Sequence, residues 1–174
     1  TKESRIREGQ LALLPEVSMI VLDEGHLLEY AAQKAMTYKV QDYTIVQLLD
    51  HLMVDGLREK TLYTMEQLQD GHELFFEQLR EDVIDSDEER KRIKKSALLL
   101  KLGKKVIEIV EILLEEFVFE SELYVIPEYE LRMAEEFLEQ YEAAMRIFIA
   151  QGDAVDWLEE TDGEETLVIM PRLI

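Results

Sequence analysis

The residues best suited to chemistry stand together: Asp23, Glu24 and His26, interrupted only by Gly25. They follow Val17 to Leu22, an apolar run broken only by Ser18, β-branched at Val17, Ile20 and Val21, and preceded by Pro15. Such a run fits a strand buried on both faces, as in a parallel sheet. The polar residues then fall at the strand's carboxyl end, where open α/β sheets place their ligands. There Asp23 could hold Mg²⁺ through water, and Glu24 could take a proton from an attacking water. The competing reading is an acidic helix N-terminus after a core strand, with His26 in solvent.

The elements that would carry these groups are mostly helical. Tyr30 to Val40 reads as a linker or short helix. Asp42 or Thr44 can cap a first helix, to about Val54, with Ile45, Leu48, Leu49 and Leu52 on one side. Asp55-Gly56 stops it. A second helix, about Leu57 to Val83, carries Leu62, Met65, Leu68, Phe75, Leu79 and Val83, in register across Gly71. His72 on that stripe, like His51, reads as a structural histidine, because no second ligand stands at i+4. Ser86-Asp-Glu-Glu89 has the form of a capping box and predicts a third helix from there to about Glu116. Phe117 to Ile126 is a frayed helix end or a connector. Pro127 suits the first turn of a fourth helix, whose seam is Leu131, Ala134, Leu138, Tyr141, Met145 and Phe148. Gly152 ends it. Val155–Glu159 and Thr166–Met170 then flank Asp162-Gly163, a hairpin turn signal, and Pro171 stops the second strand. Trp157 is expected to pack between hairpin and helices.

Eight of the 19 basic residues lie between Arg90 and Lys105. On one helix, Arg90, Lys91, Lys94, Lys101 and Lys105 would share an arc of roughly 100°, opposite Leu99, Leu100, Val106, Ile107, Val110 and Leu114. Gly103, on the apolar side, would let a neighbouring helix approach closely. The basic stripe has two readings. It is a solvated face paired with surrounding carboxylates, or a track for the backbone of single-stranded DNA.

Composition narrows the class. A net charge of −20 in 174 residues argues against nucleic-acid binding through the whole surface. With 47% hydrophobic residues and strong periodicity, that charge marks a soluble helical surface rather than disorder. The chain has no cysteine, hence no disulfide, thiolate metal site or iron–sulfur cluster of its own. No signal peptide or apolar run of membrane-spanning length occurs, so no membrane partner and a cytoplasmic location are expected. No phosphate-binding G-x-x-x-x-G-K-[ST] motif is present either.

Ile20-Val-Leu-Asp-Glu-Gly-His-Leu-Leu-Glu29 resembles motif II, the Walker B motif, of the DinG/XPD-like superfamily 2 DNA helicases, with Gly25 in place of the commoner alanine. In that family a long helical insertion, the arch domain, follows motif II, and a hairpin returns the chain to the ATPase core. The resemblance implies that residues 1–40 belong to that core, 41–152 to an arch-like insertion and 153–174 to the returning hairpin. The fold class expected is mainly α: about four long helices with a short N-terminal strand and a C-terminal β-hairpin. It further implies a parent that uses ATP and Mg²⁺ to unwind DNA five-prime to three-prime in repair or replication. Asp23 would hold the metal, Glu24 would polarise water, and His26 would link nucleotide state to DNA-binding elements. Single-stranded DNA and the rest of the helicase core are the implied partners. Read as an excised piece without a phosphate-binding loop, the chain is expected to bind no cofactor and to hydrolyse no ATP, and its orphaned strand gives it a route to dimerise. Two other classes stand beside this one: an acidic helical module that binds a basic protein, and part of a helicase-related exonuclease.

Overall fold

The computed structural model describes residues 37–84 and 89–172. Four helices and a three-stranded antiparallel sheet follow in the order β1 (Tyr38–Gln41), α1 (Asp42–Leu52), α2 (Glu59–Glu81), α3 (Ala97–Glu120), α4 (Glu128–Ala150), β2 (Ala154–Thr161) and β3 (Glu164–Pro171). The chain is therefore mainly α, a helical bundle closed at one end by strands. The expected strand at 17–22 lies outside the described residues, as does Ser86.

Helical periodicity places the core. Ile45, Leu48, Leu49 and Leu52 are the buried residues of α1, and Leu131, Ala134, Leu138, Tyr141, Met145 and Phe148 are buried along α4. In α2 the stripe runs unbroken through Gly71, from Met65 and Leu68 to Phe75 and Leu79, all fully buried. Helices α2 and α3 lie antiparallel, and α4 packs against both, meeting α3 at Gly103 and α2 through Phe148 and Tyr141. Phe75 meets Phe76 and Phe148 edge to face, at centroid separations of 5.9 and 5.8 Å, the arrangement that ring quadrupoles favour.

Strand order is β1-β3-β2. Asp162 and Gly163 both have positive φ, 57° and 78°, between the paired residues Thr161 and Glu164. This is the two-residue turn that Asp-Gly signals. Tyr38 to Val40 fall in the stretch Tyr30 to Val40, which the sequence suggests is a linker or short helix. Tyr38–Gln41 is instead a strand, with Tyr38 opposite Ile169 and Gln41 opposite Thr166. Four residues carry too little local pattern to announce a strand; pairing with β3 decides it. The helices thus leave from one edge strand, β1, and arrive at the other, β2, with β3 between them.

A second correction concerns α3. It begins at Ala97, not near Glu89, and its N-cap is Ser96, whose hydroxyl accepts from the Leu99 amide at 3.2 Å. Lys95 has φ +62°, a left-handed conformation that interrupts any helix arriving from Arg90. Residues 90–94 run extended: Lys91 and Leu158 exchange backbone hydrogen bonds of 2.8 and 2.9 Å, and Ile93 bridges to Val83. The capping-box reading lost because Ser96 offers a cap too, and because the sheet edge at Leu158 needs a partner.

Asp82, 3% exposed just beyond α2, anchors this connector. Its carboxylate accepts from the Ser96 amide at 2.8 Å and from Gln78 Nε2 at 3.0 Å, while its carbonyl accepts from the Lys94 amide at 2.8 Å. Burial pushes the carboxyl pKa up, but the bonds from Ser96 and Gln78 and the Lys94 charge outweigh it, leaving the pKa lowered. A group lowered in the folded state contributes stability above its unfolded value, near 3.8, and loses it as pH falls through the folded value. Asp82→Asn should therefore cost roughly 1.5–3 kcal/mol at pH 6. Urea unfolding from pH 6 to pH 3 checks this: the gap between wild type and variant should shrink steadily on acidification.

Candidate functional site

The residues singled out for chemistry fall into two sets. Asp23, Glu24 and His26 lie outside the described residues. The five candidate DNA contacts are all described, and the structure divides them between two elements rather than along one helix. Arg90, Lys91 and Lys94 belong to the extended connector, and Lys101 and Lys105 to α3.

Local folding gives each cation a different freedom. The Arg90 guanidinium lies 4.5 Å from the centroid of the Trp157 ring, a cation–π contact that covers the indole face. Trp157 itself is 8% exposed, and its Nε1 donates to Glu159 at 2.8 Å. It pairs with Val168 on the sheet face opposite Leu158, Leu167 and Ile169, which belong to the core. Trp157 therefore packs under Arg90 rather than between hairpin and helices. Alternation along the strand holds the reason, since Leu158 takes the core-facing position.

Lys95, which the helical arc left out, is half-buried and committed to structure. Its Nζ sits 2.8 Å from Asp156 Oδ2, donates to the Phe148 carbonyl at 2.9 Å, and lies 4.3 Å from the Phe148 ring centroid. Lys101, Lys104 and Lys105 are exposed and form no ion pair with any described residue. Further along the same exposed face stand Glu108, Glu111 and Glu115. The surface of α3 is thus basic in its first half and acidic in its second. A continuous basic track along the whole helix is not what the sequence builds.

A different cluster, unseen in the sequence, ties the sheet to the bundle. Glu164, from the hairpin, caps α1: its Oε2 accepts from the amides of Tyr43 at 2.6 Å and Thr44 at 2.9 Å. Neither Asp42 nor Thr44 is the N-cap; that residue is Gln41, whose side chain makes no cap bond. Arg80, at the end of α2, bridges Asp42 at 2.9 Å and Glu165 at 2.5 Å. His72 is fully buried, with Nδ1 2.7 Å from the Tyr141 hydroxyl and Nε2 2.8 Å from the Asp42 carbonyl. Its role is structural, as its place on the stripe suggested. His51 is exposed and reaches Glu130 at 3.2 Å. Burial raises the Asp42 pKa, but His72 and Arg80 more than offset it and hold the carboxyl below its usual value. Burial, with Asp42 nearby, pushes the Tyr141 phenol far upward. Asp42, Glu164 and Glu165 also line an open cleft with Asp162. Among the described residues, however, no group of three or more His, Cys, Asp or Glu is arranged to hold a metal ion.

Among the described residues the geometry is a helical bundle whose chain leaves a small sheet from one edge strand, β1, and returns to it at the other, β2, with exposed lysines on the first turns of α3. No protein-family model matches the chain. Over 175 aligned residues it is 40% identical to the probable ATP-dependent helicase YpvA of Bacillus subtilis (strain 168), a match covering 100% of this chain and 27% of that protein. The chain is thus related along its whole length to a probable ATP-dependent helicase, and spans about a quarter of that relative. No helix among the described residues is long and apolar enough to cross a membrane.

Proposed function

We propose that this chain is the segment of a DinG/XPD-like ATP-dependent DNA helicase that runs from motif II through an arch-like insertion and back toward the ATPase core. The observation that carries the reading is the 40% identity, over an alignment that covers the whole chain, to a probable ATP-dependent helicase. The sheet accords with it as well: β1, where the described chain enters, and β3, where it leaves, pair with each other, Tyr38 opposite Ile169. In the parent, Asp23 would hold the Mg²⁺ of bound ATP and Glu24 would orient and deprotonate the attacking water. His26 links that site to the DNA-binding elements. The residues 1–40 serve the core, 41–152 form the arch and 153–174 the return. Lacking a phosphate-binding loop, the segment by itself turns over no ATP. The parent works in the cytoplasm, in DNA repair or replication, and moves five-prime to three-prime.

Single-stranded DNA meets this segment along Lys94, Lys101 and Lys105, with Arg90 and Lys91 nearer the sheet. Phosphate contact of this kind needs aligned, unpaired cations and little else. The test is ATP-driven unwinding of a tailed duplex by the full-length protein, beside a variant with Lys94, Lys101 and Lys105 changed to Glu. Unwinding should depend on ATP and Mg²⁺. The variant should bind single strands at least tenfold more weakly in low salt, with a shallower salt dependence. A full-length protein that leaves duplex DNA intact overturns the helicase reading; undiminished binding by the variant overturns only the DNA track.

A further inference from the structure

The end of the bundle farthest from the sheet carries a surface that the helicase reading does not use. Two loops form it, 53–58 between α1 and α2 and 121–127 between α3 and α4. They are built against each other: a Cβ at Gly56 would lie 3.4 Å from Val125, and the Arg58 guanidinium lies 4.7 Å from the centroid of the Phe119 ring. Beneath them Leu57 and Ile126 are buried, and Glu120 accepts from the Arg58 amide at 3.1 Å and the Thr61 hydroxyl at 2.5 Å. The scaffold of this tip is therefore fixed by packing and by buried hydrogen bonds.

Its outer surface is apolar. Val54, Val118, Phe119, Leu123, Tyr124 and Tyr129 are each more than two-fifths exposed, and Tyr124 reaches 74%. Tyr124 also has φ +58°, a left-handed conformation that a bulky residue rarely adopts. Exposed apolar side chains gathered in one place on a rigid scaffold mark a contact surface, and aromatic residues are the usual anchors of such contacts.

Charge selects the occupant. Asp55, Glu59, Glu115, Glu122 and Glu128 are exposed around the patch. The cations of the two loops and their flanks, Arg58 and Lys60, both turn to the buried Glu116. A phosphate backbone would meet a rim of its own sign, and so would a second copy of this chain, with its net charge of −20. The described chain enters at Tyr38 and leaves at Pro171, both in the sheet, and α1, about 16 Å long, runs from the sheet toward the tip.

We propose that the tip is a docking site for a separate protein, which presents an apolar helix face flanked by Lys and Arg. Leu123 and Tyr124 are its central anchors, and the carboxylates of the rim set orientation and encounter rate.

The test uses the 174-residue chain and a dye-labelled 18-residue amphipathic helix of Leu and Lys as probe. Fluorescence anisotropy gives affinity, and backbone amide shifts give the location. Tyr124→Gly relieves the left-handed strain, so Leu123→Ser with Tyr124→Gly removes the anchors and leaves the charge unchanged. Leu74→Ser, at an exposed site on α2 with acidic neighbours, is the control. The expected result is shift changes confined to residues 54–63 and 115–129, and affinity at least tenfold weaker for the double variant, with the control unchanged. Equal binding by the double variant overturns the proposal, as does absence of binding or shifts spread over the whole acidic surface. So do tip shifts that grow with protein concentration alone, which assign the site to a second copy, or tip shifts caused by oligo(dT).

Discussion

Glutamine at position 24 of the full-length protein should leave ATP binding intact while hydrolysis falls by about 10²–10⁴-fold, the usual weight of a lost general base. The amide keeps the size and hydrogen-bonding reach of the carboxylate but cannot accept the proton that the attacking water must lose. On the proposed motif II reading Asp23, untouched, would still hold the Mg²⁺ that accompanies the nucleotide. Binding and turnover therefore separate. A loss confined to kcat is the signature of an interaction made in the transition state, whereas a rise in KM would place Glu24 among ground-state contacts. Titration with a fluorescent ATP analogue gives the first quantity, and phosphate release in the presence of single-stranded DNA the second. Turnover at the wild-type rate would remove Glu24 from the mechanism and take the motif II reading with it.

That reading comes entirely from the amino-acid order, and its contrast with the basic stripe is instructive. Asp23, Glu24 and His26 carry meaning through residue type and adjacency, which no folding event alters. The stripe carried meaning only through an assumed helix from Glu89 onward. Once Lys95 adopts a positive φ and Ser96 takes over the cap, Arg90, Lys91 and Lys94 leave the arc. Their charges stay near the sheet, but a backbone pairing at Leu158 now sets the positions of the first two. Long-range pairing overrode local periodicity, and one-dimensional pattern has no access to it.

The same division runs through the fold. The seam of α4 from Leu131 to Phe148 was legible because six apolar residues at alternating steps of three and four fit only a helix. Asp162-Gly163 was legible because both turn residues must take positive φ, which few residue pairs allow. The cap on α1 was not. Sequence offers Asp42 and Thr44, both local, whereas the acceptor is Glu164, about 120 residues away. Nothing in a glutamate after a turn announces that it will meet another element's amides. What joins the bundle to its sheet is therefore the least readable part of this chain, since Arg80, His72 and Tyr141 act there only in combination.

Two glycines in helix interiors should respond to substitution with opposite sign. Gly71 and Gly103 both cost their helices roughly 0.5–1 kcal/mol relative to alanine, through backbone entropy alone. At Gly71 an added Cβ would meet Ile109 and Val106 at 3.5 Å, ordinary contact, so Gly71→Ala should recover that cost. At Gly103 it would lie 2.8 Å from Ile149 Cγ2 and 3.3 Å from Phe75. The first is a branch methyl fixed to its own Cβ, and the second is part of a fully buried ring held edge to face against Phe148. The methyl cannot withdraw without moving α4 from α3, nor the ring without moving α2, and overpacking of this kind costs about 1–3 kcal/mol. Gly103→Ala should accordingly end between neutral and a loss of about 2 kcal/mol, the propensity gain being offset by the clash. Gly103→Val adds two methyl groups to the same gap and should lose about 3 kcal/mol or more. For a chain of this size that lowers the thermal midpoint by roughly 6–12 °C, while Gly71→Ala raises it by about 2–3 °C. Calorimetry of the four proteins decides the matter. A Gly103→Val variant as stable as wild type would mean that α3 and α4 do not approach through this glycine, and the packing of the bundle would need to be redrawn around another contact.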